Sequence, residues 1–148
     1  MIHPSTKVLS KTILESIEMD KIVYAEVTPT GAMGNSGGII MYIIEEETDE
    51  LICYETSIFD DEETYLLAEK KLFEHLDEEN PHCSKEHLYF DFYYGGMGNN
   101  VFISKKVKLT VKDNYFVYTE DDREFQILSF VQGVFNSVVH QLENNQKK

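Results

Sequence analysis

Arginine is nearly absent from this chain. Arg123 stands alone beside twelve lysines, and these thirteen cations face 27 carboxylates, a formal net charge of −14 over 148 residues. Nucleic-acid binding draws its affinity from Lys and Arg that displace phosphate counterions. Such an acidic chain is repelled by DNA, RNA and anionic membrane surfaces, and the reading is no nucleic acid and no membrane. Cysteine is also scarce. Cys53 and Cys83 are the only two, too few for a disulfide-stapled secreted scaffold, and they point to a reducing compartment. Long apolar runs are missing as well. The longest candidate, Ile39–Ile44, has the length of a strand and falls far short of the ~20 residues of a membrane-spanning helix. The segment Met1–Lys7 opens no apolar run of signal-peptide type. The expected location is the cytoplasm.

What is present is the composition of a globular domain: 42% apolar and 27% charged residues. The length suits one domain, 1–148, with a core large enough to need no staples. Pro4 and Ser5, followed by Val8, Leu9, Ile13 and Ile17 near helical spacing, predict a helix over 5–20. Residues 22–28, 39–45 and 51–57 are rich in β-branched and aromatic types and predict strands, the last two as a hairpin about the turn 46–50. Asp60 or Asp61 caps a second helix running to about Asp77, stopped by Asn80-Pro81. Strands follow at 88–94, 101–110, 115–119 and 124–128, with glycine loops at 29–38 and 95–100. A last helix spans about 130–143, opened by Ser129 and Gln132 as a capping box, and the tail 144–148 is expected to fray.

The order α-β-β-β-α-β-β-β-(β)-α implies an α+β fold. Short turns make the sheet mostly antiparallel, of about six strands, with two or three helices packed on one face.

Two loops share the pattern G-x-M-G-N: Gly31-Ala32-Met33-Gly34-Asn35 and Gly95-Gly96-Met97-Gly98-Asn99. One reading is a pair of similar turns, since Gly and Asn tolerate left-handed backbone. The other brings the loops to one end of the sheet, with Met33, Asn35, Met97 and Asn99 as ligand-binding residues. Neither loop carries the lysine of a phosphate-binding P-loop or a G-x-G-x-x-G dinucleotide pattern. Gly34-Asn35-Ser36-Gly37-Gly38 resembles the Gly-Asp-Ser-Gly-Gly around the nucleophile of trypsin-like serine proteases. The resemblance covers five residues. That family places its histidine and aspartate ahead of the serine, and His3 is the one histidine before Ser36. No catalytic residue is assigned.

His75, His82, Cys83 and His87 form the one metal-like grouping; His82 and His87 give half of a zinc spacing and the other half is missing unless Cys83 or His75 folds back, so neither metal nor cofactor is assigned. The acidic runs Glu45–Glu47, Asp60–Glu63, Asp77–Glu79 and Glu120–Asp122 fall at predicted turns and helix ends and match no EF-hand spacing. In strand 88–94, alternation puts Tyr89, Asp91 and Tyr93 on one face, a composition suited to an interface anchor.

Three functions follow from these features. The first is a non-enzymatic acidic binding protein that captures a basic protein partner through Tyr89, Asp91, Tyr93, Glu120, Asp121 and Asp122; its most concrete form is an immunity or antitoxin-type inhibitor, because a decoy for a nucleic-acid-binding site must be anionic. The second is a small ligand-binding domain or enzyme with its site at the G-x-M-G-N loops. The third is a structural or regulatory homodimeric subunit joined through an open sheet face.

Overall fold

The computed structural model describes residues 1–28, 37–76, 86–94, 97–129 and 132–146, with the backbone alone at 92–94, 97, 132–133 and 145–146. The main sheet is built from β1 (Ser5–Val8), β2 (Ile22–Thr28), β3 (Gly38–Ile44), β4 (Leu51–Ser57), β5 (His87–Tyr94) and β6 (Met97–Ser104). Their spatial order is β1-β4-β3-β2-β6-β5. All pairs are antiparallel except β1 with β4, which is parallel. The central strands β2 and β3 are buried along nearly their whole length, as expected where both faces of a sheet are covered.

One face carries Ala25, Val27, Ile39, Met41, Ile43 and Phe102. It packs under α1 (Lys11–Ser16) and α2 (Glu62–His75), whose Leu14, Tyr65, Ala68 and Leu72 are buried there. The other face carries Tyr24, Ile40, Tyr42, Cys53, Val101 and Ile103. A second sheet covers it: β7 (Leu109–Lys112), β8 (Tyr115–Glu120) and β9 (Arg123–Ile127), joined by α3 (Gln132–Gln146). Each fully buried large side chain contributes ~1.5–3 kcal/mol. A bulge in β2 lets both Val23 and Tyr24 face this second core, since Ile22 pairs with Ile43 while Tyr24 pairs with Tyr42.

The α+β class and the mostly antiparallel six-strand sheet agree with the sequence reading. Several details differ. Helices lie on both faces, because the second sheet leaves room for α3 beside it. Residues 5–20 are not one helix. Ser5–Val8 are extended along the free edge of β4, and the helix starts after Ser10, whose hydroxyl accepts from the Ile13 amide at 3.2 Å. All four residues of β1 are exposed, Val8 at 73%, and the buried Leu9 follows the strand. The predicted strand 101–110 is two elements separated by the turn 105–108. Gly98 and Asn99 pair with β5 instead of looping. The capping box expected at Ser129 and Gln132 runs through residues outside the described ones; Ser129 gives its hydroxyl to Glu26, and α3 continues to Gln146.

The first residues tie the two sheets together. Ile2 bridges Phe125 of β9, donating to Glu124 O at 2.7 Å and accepting from Gln126 N at 2.9 Å, while β1 immediately afterwards pairs with β4. Among the described residues no helix is long and apolar enough to cross a membrane.

A candidate acidic groove

Strand direction decides what gathers at each end of the main sheet. Thr28, Gly38, Ser57 and Met97 mark one end; Ile22, Ile44, Leu51 and Ser104 mark the other. At the second end the 3-10 turn Met19–Lys21 meets the β3–β4 turn. That turn is held by Glu45 N to Glu50 O at 2.9 Å and Asp49 N to Glu45 O at 2.8 Å, with Asp49 in the left-handed region at φ 57°. The β8–β9 turn joins them through Arg123, which donates from Nη2 to Asp49 O at 2.8 Å. The same guanidinium lies 3.6 Å from Glu120 Oε2 and 5.2 Å from the centroid of Phe125.

Three stretches far apart in sequence thus converge. Glu18 and Asp20, Glu45 to Glu50, and Glu120 to Asp122 bring ten carboxylates to one end. Lys21 and Arg123 lie among them, and the turn after β6 sets Lys105, Lys106 and Lys108 on one flank.

Between the 3-10 turn and the β3–β4 turn lies a cavity of about 490 Å³. Ile13, Ile17, Ile43, Ile44, Ile52 and Tyr54 form its apolar walls, and Glu18, Glu45, Glu46 and Glu47 its acidic rim. Ile43 and Ile52 are buried at its floor, and the half-buried Ile13, Ile17, Ile44 and Tyr54 stand around them. Lys21 is the one cation lining it. Its ammonium pairs with Glu46 and sits 3.5 Å from Glu18 Oε2. A second cavity of about 400 Å³ continues past Lys21, Ile44 and Glu46 toward Asp20, Asp49, Lys106 and Tyr118. The Tyr118 hydroxyl is held above its ordinary pKa by burial first and by Glu120 next.

The residues singled out in the sequence are distributed as follows. Glu120, Asp121 and Asp122 sit at this acidic end. Tyr89 and Asp91 lie on the edge strand β5, both accepting from Asn100 Nδ2, at 2.8 and 3.0 Å. Tyr93 pairs with Gly98. The β5 group is therefore separate from the acidic end. Met33 and Asn35 lie outside the described residues, as do His82 and Cys83. Met97 pairs with Tyr94 at the start of β6. Asn99 is buried, and its Oδ1 accepts from Thr28 Oγ1 at 2.9 Å. That bond sets the strand ends bearing the two G-x-M-G-N loops side by side. Sequence reasoning missed the contributions of Glu18, Asp20 and Asp49. The hairpin placed 46–50 at a turn, but nothing in the pattern tied that turn to 120–122.

Comparison with known proteins adds no relative: no family model, curated protein or solved structure matches the chain.

Proposed function

We propose that the protein is a non-enzymatic binder that captures a lysine- or arginine-rich segment of a basic protein in the acidic groove, as an immunity or antitoxin-type inhibitor would. The observation that carries this reading is the pairing of apolar walls with a carboxylate rim in one cavity. Lys and Arg are amphipathic, with aliphatic stems that cover apolar surface and a charged head. Isoleucine walls suit the stems and the glutamate rim suits the heads.

The β8–β9 turn supports the reading from a different direction. Asp121 and Asp122 both have positive φ, 48° and 64°, as a two-residue type I′ hairpin requires. Asn-Gly meets that backbone demand with less strain. The sequence keeps two carboxylates there, which adds charge to the same end at a local conformational cost. The field of this end steers a cationic partner and raises its association rate.

The test is titration of oligolysine and oligoarginine peptides by calorimetry. Each carboxylate within ~4–8 Å of a bound ammonium contributes ~0.5–1 kcal/mol in water. Replacing Glu45, Glu46 and Glu47 by Gln is therefore expected to weaken binding at least ~10-fold. The control replaces Glu62 and Glu63 at the start of α2, which removes charge elsewhere. Binding is also expected to collapse near 1 M salt, where the Debye length is ~3 Å. Equal losses in both variants would reduce the effect to net charge and reject the groove.

A further inference from the structure

The metal-like grouping in the sequence acquires geometry in the fold. His75 ends α2 and His87 opens β5, and their rings meet edge-on, 4.9 Å between centroids at 71°. His75 Nε2 lies 3.0 Å from His87 Nδ1. His87 is 5% exposed and its Nε2 lies 2.6 Å from the carbonyl oxygen of Ile22. A carbonyl only accepts, so His87 Nε2 carries the proton and Nδ1 presents its lone pair to His75.

We propose that His75 Nε2 and His87 Nδ1 form a two-imidazole site for a divalent transition-metal ion of the zinc class. Three observations converge on it. The first is the bite. Two nitrogens on a tetrahedral zinc at ~2.0–2.1 Å lie ~3.3 Å apart, so the 3.0 Å pair needs to open by only about 0.3 Å. The second is the Ile22 carbonyl behind His87. An N–H bond on the far nitrogen of a ligating histidine fixes its tautomer and ring orientation. The third is charge. Asp20 and Glu86 both act on the pair, and Lys106 alone among cations opposes them, at His87. Binding requires that His75 Nε2 give up the proton it shares with His87 Nδ1. Among the described residues no group of three or more His, Cys, Asp or Glu side chains stands ready to hold an ion. The described site thus supplies two ligands, and water completes the shell.

The experiment is zinc titration of the full chain, read by calorimetry and by imidazole nitrogen NMR. The expected result is one ion per chain, with the His75 and His87 ring signals moving together while His3 and His140 stay in place. His75→Gln and His87→Gln are each expected to weaken binding at least ~10-fold, the scale set by losing an organised ligand. His75 lies half-buried at a helix end, so its variant keeps the fold even if the His87 variant does not. Zinc is also expected to raise the melting temperature of the wild type and not of His75→Gln. Undiminished binding in His75→Gln, or shifts confined to His3 and His140, would overturn the proposal.

Discussion

Removing one oxygen atom, by Tyr42→Phe, tests how the second sheet's exit is fastened to the main sheet. The Tyr42 hydroxyl donates to Leu128 O at 3.2 Å and accepts from Leu128 N at 3.1 Å. The ring itself packs edge-on against Tyr24 at 6.2 Å, and phenylalanine preserves that contact. The cost is therefore two hydrogen bonds. Each is worth ~0.5–1.5 kcal/mol net, and more where the abandoned partner is cut off from water. Leu128 is 48% exposed, so water replaces part of what is lost. The expected loss is about 1–2 kcal/mol, or about 3–6 °C in Tm for a domain of this size. One residue on, Ser129 Oγ donates to Glu26 Oε1 at 2.5 Å. Glu26 is 3% exposed, so water cannot replace that bond, and Ser129→Ala is expected to cost about 1–3 kcal/mol. Both contacts anchor the same connection between β9 and α3. Once one is cut, the other holds less, and the double variant is expected to fall short of the sum by about 0.5–1 kcal/mol. Urea unfolding followed by circular dichroism measures all three. A Tyr42→Phe variant within about 0.3 kcal/mol of wild type would refute the reasoning.

Two further outcomes are expected. Burial pushes the Cys53 thiol up to about 11, so its thiolate at neutral pH is on the order of 100-fold scarcer than that of a free cysteine. Alkylation followed by mass spectrometry is expected to label Cys53 slowly in the native protein and rapidly in denaturant; equal rates would place the thiol at the surface. Gly37→Ala adds a methyl group 3.0 Å from Tyr65 Cζ, 3.1 Å from its hydroxyl and 3.3 Å from Ile58 Cγ2. Tyr65 cannot recoil without loosening its hydrogen bond to Thr28 O at 3.1 Å, so a loss of about 1–3 kcal/mol is expected, and an unchanged melting curve would count against this packing.

Local patterns were readable where local physics decides. Strands 22–28 and 51–57 coincide with β2 and β4, because β-branched and aromatic runs between polar turns have one good solution. Asp61 caps α2 as expected, accepting from Thr64 N at 3.0 Å. The errors came from distant partners. Ser5–Val8 are strand only because the edge of β4, some fifty residues away, offers hydrogen bonds; their own sequence fits a helix start equally well. The second sheet was folded into the first, since hairpin signals at 109–127 do not say which sheet they join. The acidic end was legible as separate runs of carboxylates. Its assembly depends on one arginine reaching a backbone oxygen 74 residues away, and no periodicity encodes that contact. The pairing of His75 with His87 depends likewise on where α2 ends relative to β5.

The clasp made by the first eight residues has a kinetic consequence. Its bonds reach from Ile2 to Glu124 and Gln126, and from β1 to Ile52–Glu55. Neither dock exists until the β3–β4 and β8–β9 hairpins have formed. Contacts of such sequence separation are costly to close and slow a folding reaction. The clasp is therefore expected to close late in assembly. Until it seats, the outer edge of β4 stands open, and its unpaired backbone is the point at which a half-folded chain is most exposed to joining another copy of itself.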